Sequence, residues 1–279
     1  MTTERKLFGT DGVRGEAGTF LSAELATALG CAAAVFLPAE RPQVLIVRDT
    51  RESGPMLEAA LAAGVAAAGG EALIGGVLPT PAAAILVRRL GLDLAAVVSA
   101  SHNPYGDNGI KFFSAAGTKL DDEAEAAIEA GVGAPAPEVA PGRVRELNGG
   151  LEDYLRALET TFPLDLMGLK VALDCANGAT HRAAPMIFER LGAAVQAIAA
   201  EPDGRNINDG CGSTHIEHLA AHVAGGEADI GFAFDGDGDR VMAVDRDGGV
   251  VDGDELLALA ALHLHRNGRL PGGGVAVTV

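Results

Sequence analysis

The chain has 279 residues, 48% of them hydrophobic but only 4% aromatic and none Trp, a length that suits two domains whose cores are packed by aliphatic side chains and alanine. Its formal net charge of −17 argues against nucleic acid or anionic lipid as a partner, and no apolar run reaches the roughly 18 residues of a membrane span. The same charge repels a phosphorylated metabolite unless a metal or basic side chains are concentrated at one place.

The opening MTTERKLFGTDGVRG has no apolar core of the kind found in secretory signals. Cys31, Cys175 and Cys211 are odd in number and widely spaced, so reduced thiols in a cytoplasmic protein are expected rather than a disulfide frame or a zinc site.

Along the chain, LSAELATALGCAAAVFL has helical apolar spacing, with Ser22 placed to cap its start. QVLIV, residues 43–47, is a short β-branched run that ends in the polar turn RDTRESG. PMLEAALAAGVAAAGG begins on Pro55 and stops at a glycine pair, as a helix does. ALIGGVL reads as a strand, PAAAILVRRL as a helix and LAAVVSA as a strand. Residues 131–150, rich in Pro and Gly and without period, are a linker or a surface segment of the first domain.

A second series follows. KVALD is a strand, RAAPMIFERLG a helix, AVQAI a strand, THIEHLAAHVAGG a helix, and DIGFAF a strand that runs into DGDGDR. VMAVD and GVVDG, either side of RDG, form a hairpin. GDELLALAALHLHRNGRLPGGGVAVTV reads as one helix, a glycine-rich turn and one apolar strand, a unit that cannot bury both its faces alone. The expected fold class is α/β: two consecutive α/β domains, 1–150 and 151–252, with mixed or parallel sheets sandwiched by helices. Residues 253–279 are expected to be the cut-short start of a third, similar domain.

DGDGDR is the sharpest local signal. Asp235, Asp237 and Asp239 stand at i, i+2 and i+4 with glycines between them, so extended chain points them one way and the glycines let the loop curl. An Asp/Gly cluster is usually a solvated turn, but three carboxylates leaving a buried strand repel one another unless a hard cation such as Mg²⁺ or Mn²⁺ sits among them. A calcium loop of the EF-hand type fails: Arg240 stands where its glycine belongs and Arg246 where its final glutamate belongs.

Ser99 and Ser101 flank Ala100 in SASHNP at a strand end. Neither lies in a G-x-S-x-G elbow and no P-loop pattern occurs, so by themselves they read as turn chemistry. Lys111, in GIKFF, reads alone as a lysine whose stem lies along a strand. Arg14 lies in the glycine-rich FGTDGVRG, where an arginine can also hold an oxyanion. His218 and His222 have helical spacing but no H-E-x-x-H pattern, which favours a solvated helix face.

Taken together and in order, FGTDGVRG (8–15), SASHNP (99–104) with DNGIKFF, and FDGDGDR (234–240) resemble the α-D-phosphohexomutases. RDTRESG, PTPA, DCANGA and CGSTH extend the resemblance over essentially the whole chain. The wording is most similar to members acting on glucosamine phosphates. Members acting on mannose or glucose phosphates share the same residues, and a non-catalytic metal-binding module is the alternative of another class.

The resemblance implies that Ser101 carries a phosphoryl group and binds one Mg²⁺ together with Asp235, Asp237 and Asp239. It implies that glucosamine 6-phosphate is converted to glucosamine 1-phosphate through glucosamine 1,6-bisphosphate. Lys111 and His102 would lie near the transferred group, and Arg14, Asn103, Lys111 and Arg240 would hold phosphate or orient neighbouring acids. It further implies a cytoplasmic enzyme feeding cell-wall amino-sugar precursors, with a homodimer as a possible assembly. The family's sugar-recognition and distal-phosphate segments lie in domains that this sequence does not contain, so this piece alone is expected to be inactive.

Overall fold

The structure is a computed structural model that describes residues 7–275. The first part of the chain forms β1 (Val13–Glu16), α1 (Ala23–Phe36), β2 (Gln43–Arg48), α2 (Gly54–Ala67), β3 (Glu71–Val77), α3 (Thr80–Arg89), β4 (Leu94–Val98), β5 (Asp107–Ser114), α4 (Asp122–Gly131) and β6 (Arg143–Glu146). Its sheet has the order β1-β5-β4-β2-β3-β6. β4, β2, β3 and β6 run parallel, while β5 is antiparallel to both of its neighbours.

Alternation along each strand separates the two faces. Val44, Ile46, Ala96 and Val98 pack under α1, α2 and α4, whereas Leu45, Val47, Ala95 and Val97 pack under α3. The central strands are buried on both sides, which is why they read as continuous apolar runs. Ser22 caps α1 by accepting from the Leu25 N–H at 3.3 Å. The α1 and α2 backbones approach closely because Gly64 has no Cβ; one there would run into the Thr27 carbonyl. Leu29 of α1 is completely buried, and truncating it to alanine costs about 2–5 kcal/mol.

The second part forms α5 (Gly150–Thr161), β7 (Lys170–Asp174), α6 (Thr180–Arg190), β8 (Ala194–Ile198), α7 (Glu217–Ala224), β9 (Ile230–Phe234), β10 (Val241–Val244), β11 (Val250–Val251) and α8 (Gly253–Arg266). The sheet order is β11-β10-β9-β7-β8, parallel across β9-β7-β8 and antiparallel across β9-β10-β11. Leu219 and Val223 of α7 cover one face, and Ala184 of α6 the other. Tyr154 of α5 joins the core beneath α3 and meets Ala183 of α6, so this helix ties the two sheets' layers together.

The segment 131–150 contributes β6, an edge strand paired in parallel with β3; all four of its residues are exposed. The hairpin expected around RDG is β10–β11. α8 starts with a full capping box, Asp252 with Glu255, and none of its residues is buried. The apolar strand expected after it falls largely on residues 276–279, outside the described residues. Among the described residues no helix is long and apolar enough to cross a membrane, and all three cysteines are free.

Candidate active site

Parallel order brings the carboxyl ends of β2, β3 and β4 to one edge of the first sheet, the usual place for a site in an open α/β fold. The β4–β5 connection carries Ser99 and Ser101 there, and the β2–α2 connection carries Asp49 and Arg51. All four are buried.

Ser101 has φ +53°, a left-handed conformation that costs a side-chain-bearing residue roughly 1–2 kcal/mol. Its backbone is held on both sides. The Ser101 N–H donates to Ser99 Oγ at 3.0 Å. Its carbonyl accepts from the Arg51 guanidinium at 3.0 Å and from the Asn208 amide at 3.0 Å.

The β9–β10 hairpin delivers the acids. Its turn closes through the Gly238 N–H on the Asp235 carbonyl at 3.1 Å, while the Arg240 N–H donates to Asp235 Oδ1 at 3.1 Å. The loop docks on both sides: Thr80 N–H donates to the Asp237 carbonyl at 2.8 Å and Ala179 N–H to the Gly236 carbonyl at 2.8 Å. Gly236 has to be glycine because a Cβ there would sit 2.6 Å from the Ser101 carbonyl oxygen.

One carboxylate oxygen from each of Asp235, Asp237 and Asp239 lies within 4.8 Å of the others, the one such group among the described residues. Ser101 Oγ donates to Asp235 Oδ2 at 2.5 Å. Lys111, on β5, donates to Asp237 Oδ2 at 2.7 Å and Asp239 Oδ2 at 3.1 Å, and lies 3.8 Å from Asp11. Thr80 Oγ1 donates to Asp237 Oδ2 at 2.6 Å. Asp237 Oδ1 is buried with no hydrogen-bond partner. A buried lone-pair donor left over beside two more carboxylates and a hydroxyl is a set of hard oxygens that fits a divalent cation such as Mg²⁺.

The charges follow from this crowding. Burial, and then the neighbouring Asp237, push the Asp235 carboxyl up to about 7. Burial and Asp237 also raise Asp239. Burial opposes the charge on Asp237 as well, but the Lys111 ammonium and the hydrogen bonds from Lys111 and Thr80 together outweigh it and hold that carboxyl below its ordinary value. Lys111 is disfavoured by burial, yet the carboxylates around it raise its pKa and keep it an ammonium. His102 is pushed down by burial and then by the positive charges of Arg240 and Arg14.

The serine, the three aspartates and Lys111 meet at this junction, and the other residues expected around them lie as follows. His102 Nδ1 lies 3.5 Å from Ser101 Oγ. Arg14 pairs with Asp11. Asn103 turns its amide to Asp107 at 2.9 Å, bracing the loop that carries Ser101. His222 instead bonds Gln196 at 2.7 Å. Sequence reasoning missed Asp11, Asp49, Arg51, Thr80 and Asn208. RDTR carries a local signal for the Asp49–Arg51 pair alone, an acid and a base at i, i+2 leaving a buried strand, and none for what Arg51 holds. Beside His102 opens a cavity of about 590 Å³ lined by Tyr105, Arg205, Asn208, Thr214 and His215.

The serine of one sheet edge thus meets the first of three aspartates carried by the other sheet. The family model described as phosphoglucomutase/phosphomannomutase, alpha/beta/alpha domain I, matches residues 5–136, and that of domain II matches residues 152–249. The chain belongs to the phosphoglucomutase/phosphomannomutase family. Its curated relatives include proteins named phosphoglucosamine mutase from Moorella thermoacetica, 53% identical, and Heliobacterium modesticaldum, 50% identical. Each match covers 98% of this chain, which spans 64% and 65% of those relatives' length. A solved phosphoglucomutase/phosphomannomutase family protein from Burkholderia thailandensis is 29% identical and superposes with a TM-score of 0.82, over 94% of this chain and 59% of that one.

Proposed function

We propose that this chain is the N-terminal part of a phosphoglucosamine mutase, made of a first domain over 1–150, a second over 151–252 and the start of a third at 253. The observation that carries the reading is the 2.5 Å contact of Ser101 Oγ with Asp235 at the acidic cluster. The relatives named for glucosamine phosphates favour that sugar over mannose or glucose phosphates.

In this reading the phosphorylated Ser101 gives its phosphoryl group to the sugar. The free hydroxyl of glucosamine 6-phosphate attacks phosphorus, the new P–O bond forms as the P–Oγ bond breaks, and glucosamine 1,6-bisphosphate results. Turning the bisphosphate over and reversing the step returns its other phosphoryl group to Ser101 and releases glucosamine 1-phosphate. Such a transfer needs in-line placement and charge stabilisation more than covalent activation.

Asp235, Asp237 and Asp239, with Ser101, would hold Mg²⁺, which when bound supplies positive charge to the transferring phosphoryl oxygens. That charge answers the difficulty of a −17 chain binding a phosphate. Lys111, kept as an ammonium by its acidic neighbours, stabilises charge at the transferred group and can donate a proton to the leaving oxygen. Burial disfavours the charged form of His102, and the imidazole beside Ser101 is suited to accept a proton. Arg14 and Arg240 face phosphate oxygens, and Asn103 holds the loop that presents them with the serine. The cavity beside His102 has the size of a small-ligand site.

A cytoplasmic enzyme of amino-sugar precursor synthesis, assembled as a homodimer, is the setting this reading implies. The test is mutase turnover in the complete natural chain with glucosamine 6-phosphate and a sugar 1,6-bisphosphate primer. Turnover that disappears in Ser101→Ala supports the assignment; undiminished turnover in that variant refutes it.

A further inference from the structure

We infer that Arg51 is a positioning residue for phosphoryl transfer at Ser101, acting by clamping the peptide units on either side of the serine. The inference rests on the reading of Ser101 as the phosphoryl carrier.

Arg51 is completely buried, an expensive place for a guanidinium unless its donors are answered. They are. Nε donates to Asp49 Oδ2 at 2.9 Å, one terminal nitrogen to the Pro104 carbonyl, and the other to the carbonyls of Ser101 at 3.0 Å and Asn103 at 2.8 Å. Beyond its anchor Asp49, every bond of this side chain goes to the loop 101–104.

Asp49 completes the clamp from the other side. Its Oδ1 accepts the Arg51 N–H at 3.0 Å and its Oδ2 accepts Ser99 Oγ–H at 2.5 Å; Ser99 Oγ in turn accepts the Ser101 N–H at 3.0 Å. The amide before Ser101 is thus tied to Asp49 through Ser99, and the amide after it is tied to Arg51. Both peptide planes that fix the left-handed turn at Ser101 are held by one ion pair, and that turn aims Oγ at the acids.

The chemistry is specific to arginine. Only a planar fork reaches three separate carbonyls from one buried position; a lysine keeps the charge but donates from a single point. Arg51→Lys therefore preserves charge and most of the volume while releasing part of the loop. Misplacement of a reacting group by about 1 Å costs on the order of 100-fold in rate.

The experiment measures kcat and KM of the complete natural chain as wild type, Arg51→Lys, Ser101→Ala and Leu29→Ala, the last a core variant on α1. Alongside, it follows the phosphoserine content and the hydrogen exchange of the 99–104 peptide. The expected result for Arg51→Lys is kcat lower by about 100-fold with KM within about threefold, and faster exchange in that peptide. Leu29→Ala should lose stability yet keep its turnover per folded molecule. Arg51→Lys with wild-type kcat, while Ser101→Ala is inactive, overturns the positioning role and leaves the carrier reading standing. Ser101→Ala with wild-type turnover overturns both. Should Arg51→Lys not fold, Ser99→Ala replaces it: a kcat reduced about tenfold or more supports the clamp, and an unchanged kcat overturns it.

Discussion

Ser101 and Asp235 are 134 positions apart in the chain and extend different sheets, yet the serine hydroxyl donates to the carboxylate across 2.5 Å. The contact is enforced from both sides. The Ser101 carbonyl is shared by Arg51 of the first layer system and Asn208 of the second, and Gly236 leaves just enough room for it.

The acidic cluster should make the metal-free protein sensitive to pH. In the folded chain the Asp235 carboxyl sits near 7 because burial and Asp237 disfavour its charge, whereas an unstructured aspartate titrates near about 3.9. Between those values the folded state keeps a proton that the unfolded state has released, so stability is greatest on the acid side and falls as pH rises towards 7. In chelator, the melting temperature should decline between about pH 5 and about pH 8; saturating Mg²⁺ should raise it and remove most of the decline. Identical melting curves with and without Mg²⁺ across that range would contradict a cation site here.

Lys111 is the counter-charge of the cluster. Lys111→Met leaves Asp237 and Asp239 facing each other without their ammonium, and breaking a buried pair from one side costs about 3–5 kcal/mol. Urea unfolding in chelator should register a loss of that order, with part of it restored by Mg²⁺. A variant as stable as wild type without metal would show that the ion pair contributes nothing.

Gly236 is fixed by contact rather than by backbone conformation. In Gly236→Ala the new methyl group would lie 2.6 Å from the Ser101 carbonyl oxygen and 2.8 Å from Asn208 Nδ2, so the hairpin must retreat from the serine loop. Overpacking of this kind costs about 1–3 kcal/mol, and Mg²⁺ affinity should fall with it because Asp235 and Ser101 separate. Mg²⁺ titration by calorimetry reads this directly, and wild-type affinity in the variant would refute the close docking.

Much of this was legible in the sequence because buried strands are apolar runs and their ends are marked by abrupt polarity. QVLIV into RDTR, LAAVV into SASHNP and DIGFAF into DGDGDR are such transitions, and each proved to be a strand ending at the junction. β6 was not legible. Its RVRE is exposed along its whole length, so no apolar alternation distinguishes it from the surrounding Pro- and Gly-rich chain. Arg51, Thr80 and Asn208 escaped notice for another reason. Each acts on a backbone carbonyl or a carboxylate far away in sequence, and no local spacing records a partner 50 or more residues distant.

The central claim is that Ser101 carries the phosphoryl group at the acidic cluster. The most direct measurement is phosphopeptide mass analysis of the complete natural chain after incubation with a sugar 1,6-bisphosphate and Mg²⁺. One phosphoryl group located on Ser101, and removed on addition of glucosamine 6-phosphate, is the result the account predicts. A phosphoryl group on another residue, or an unmodified Ser101 in an enzyme that turns over, would contradict it.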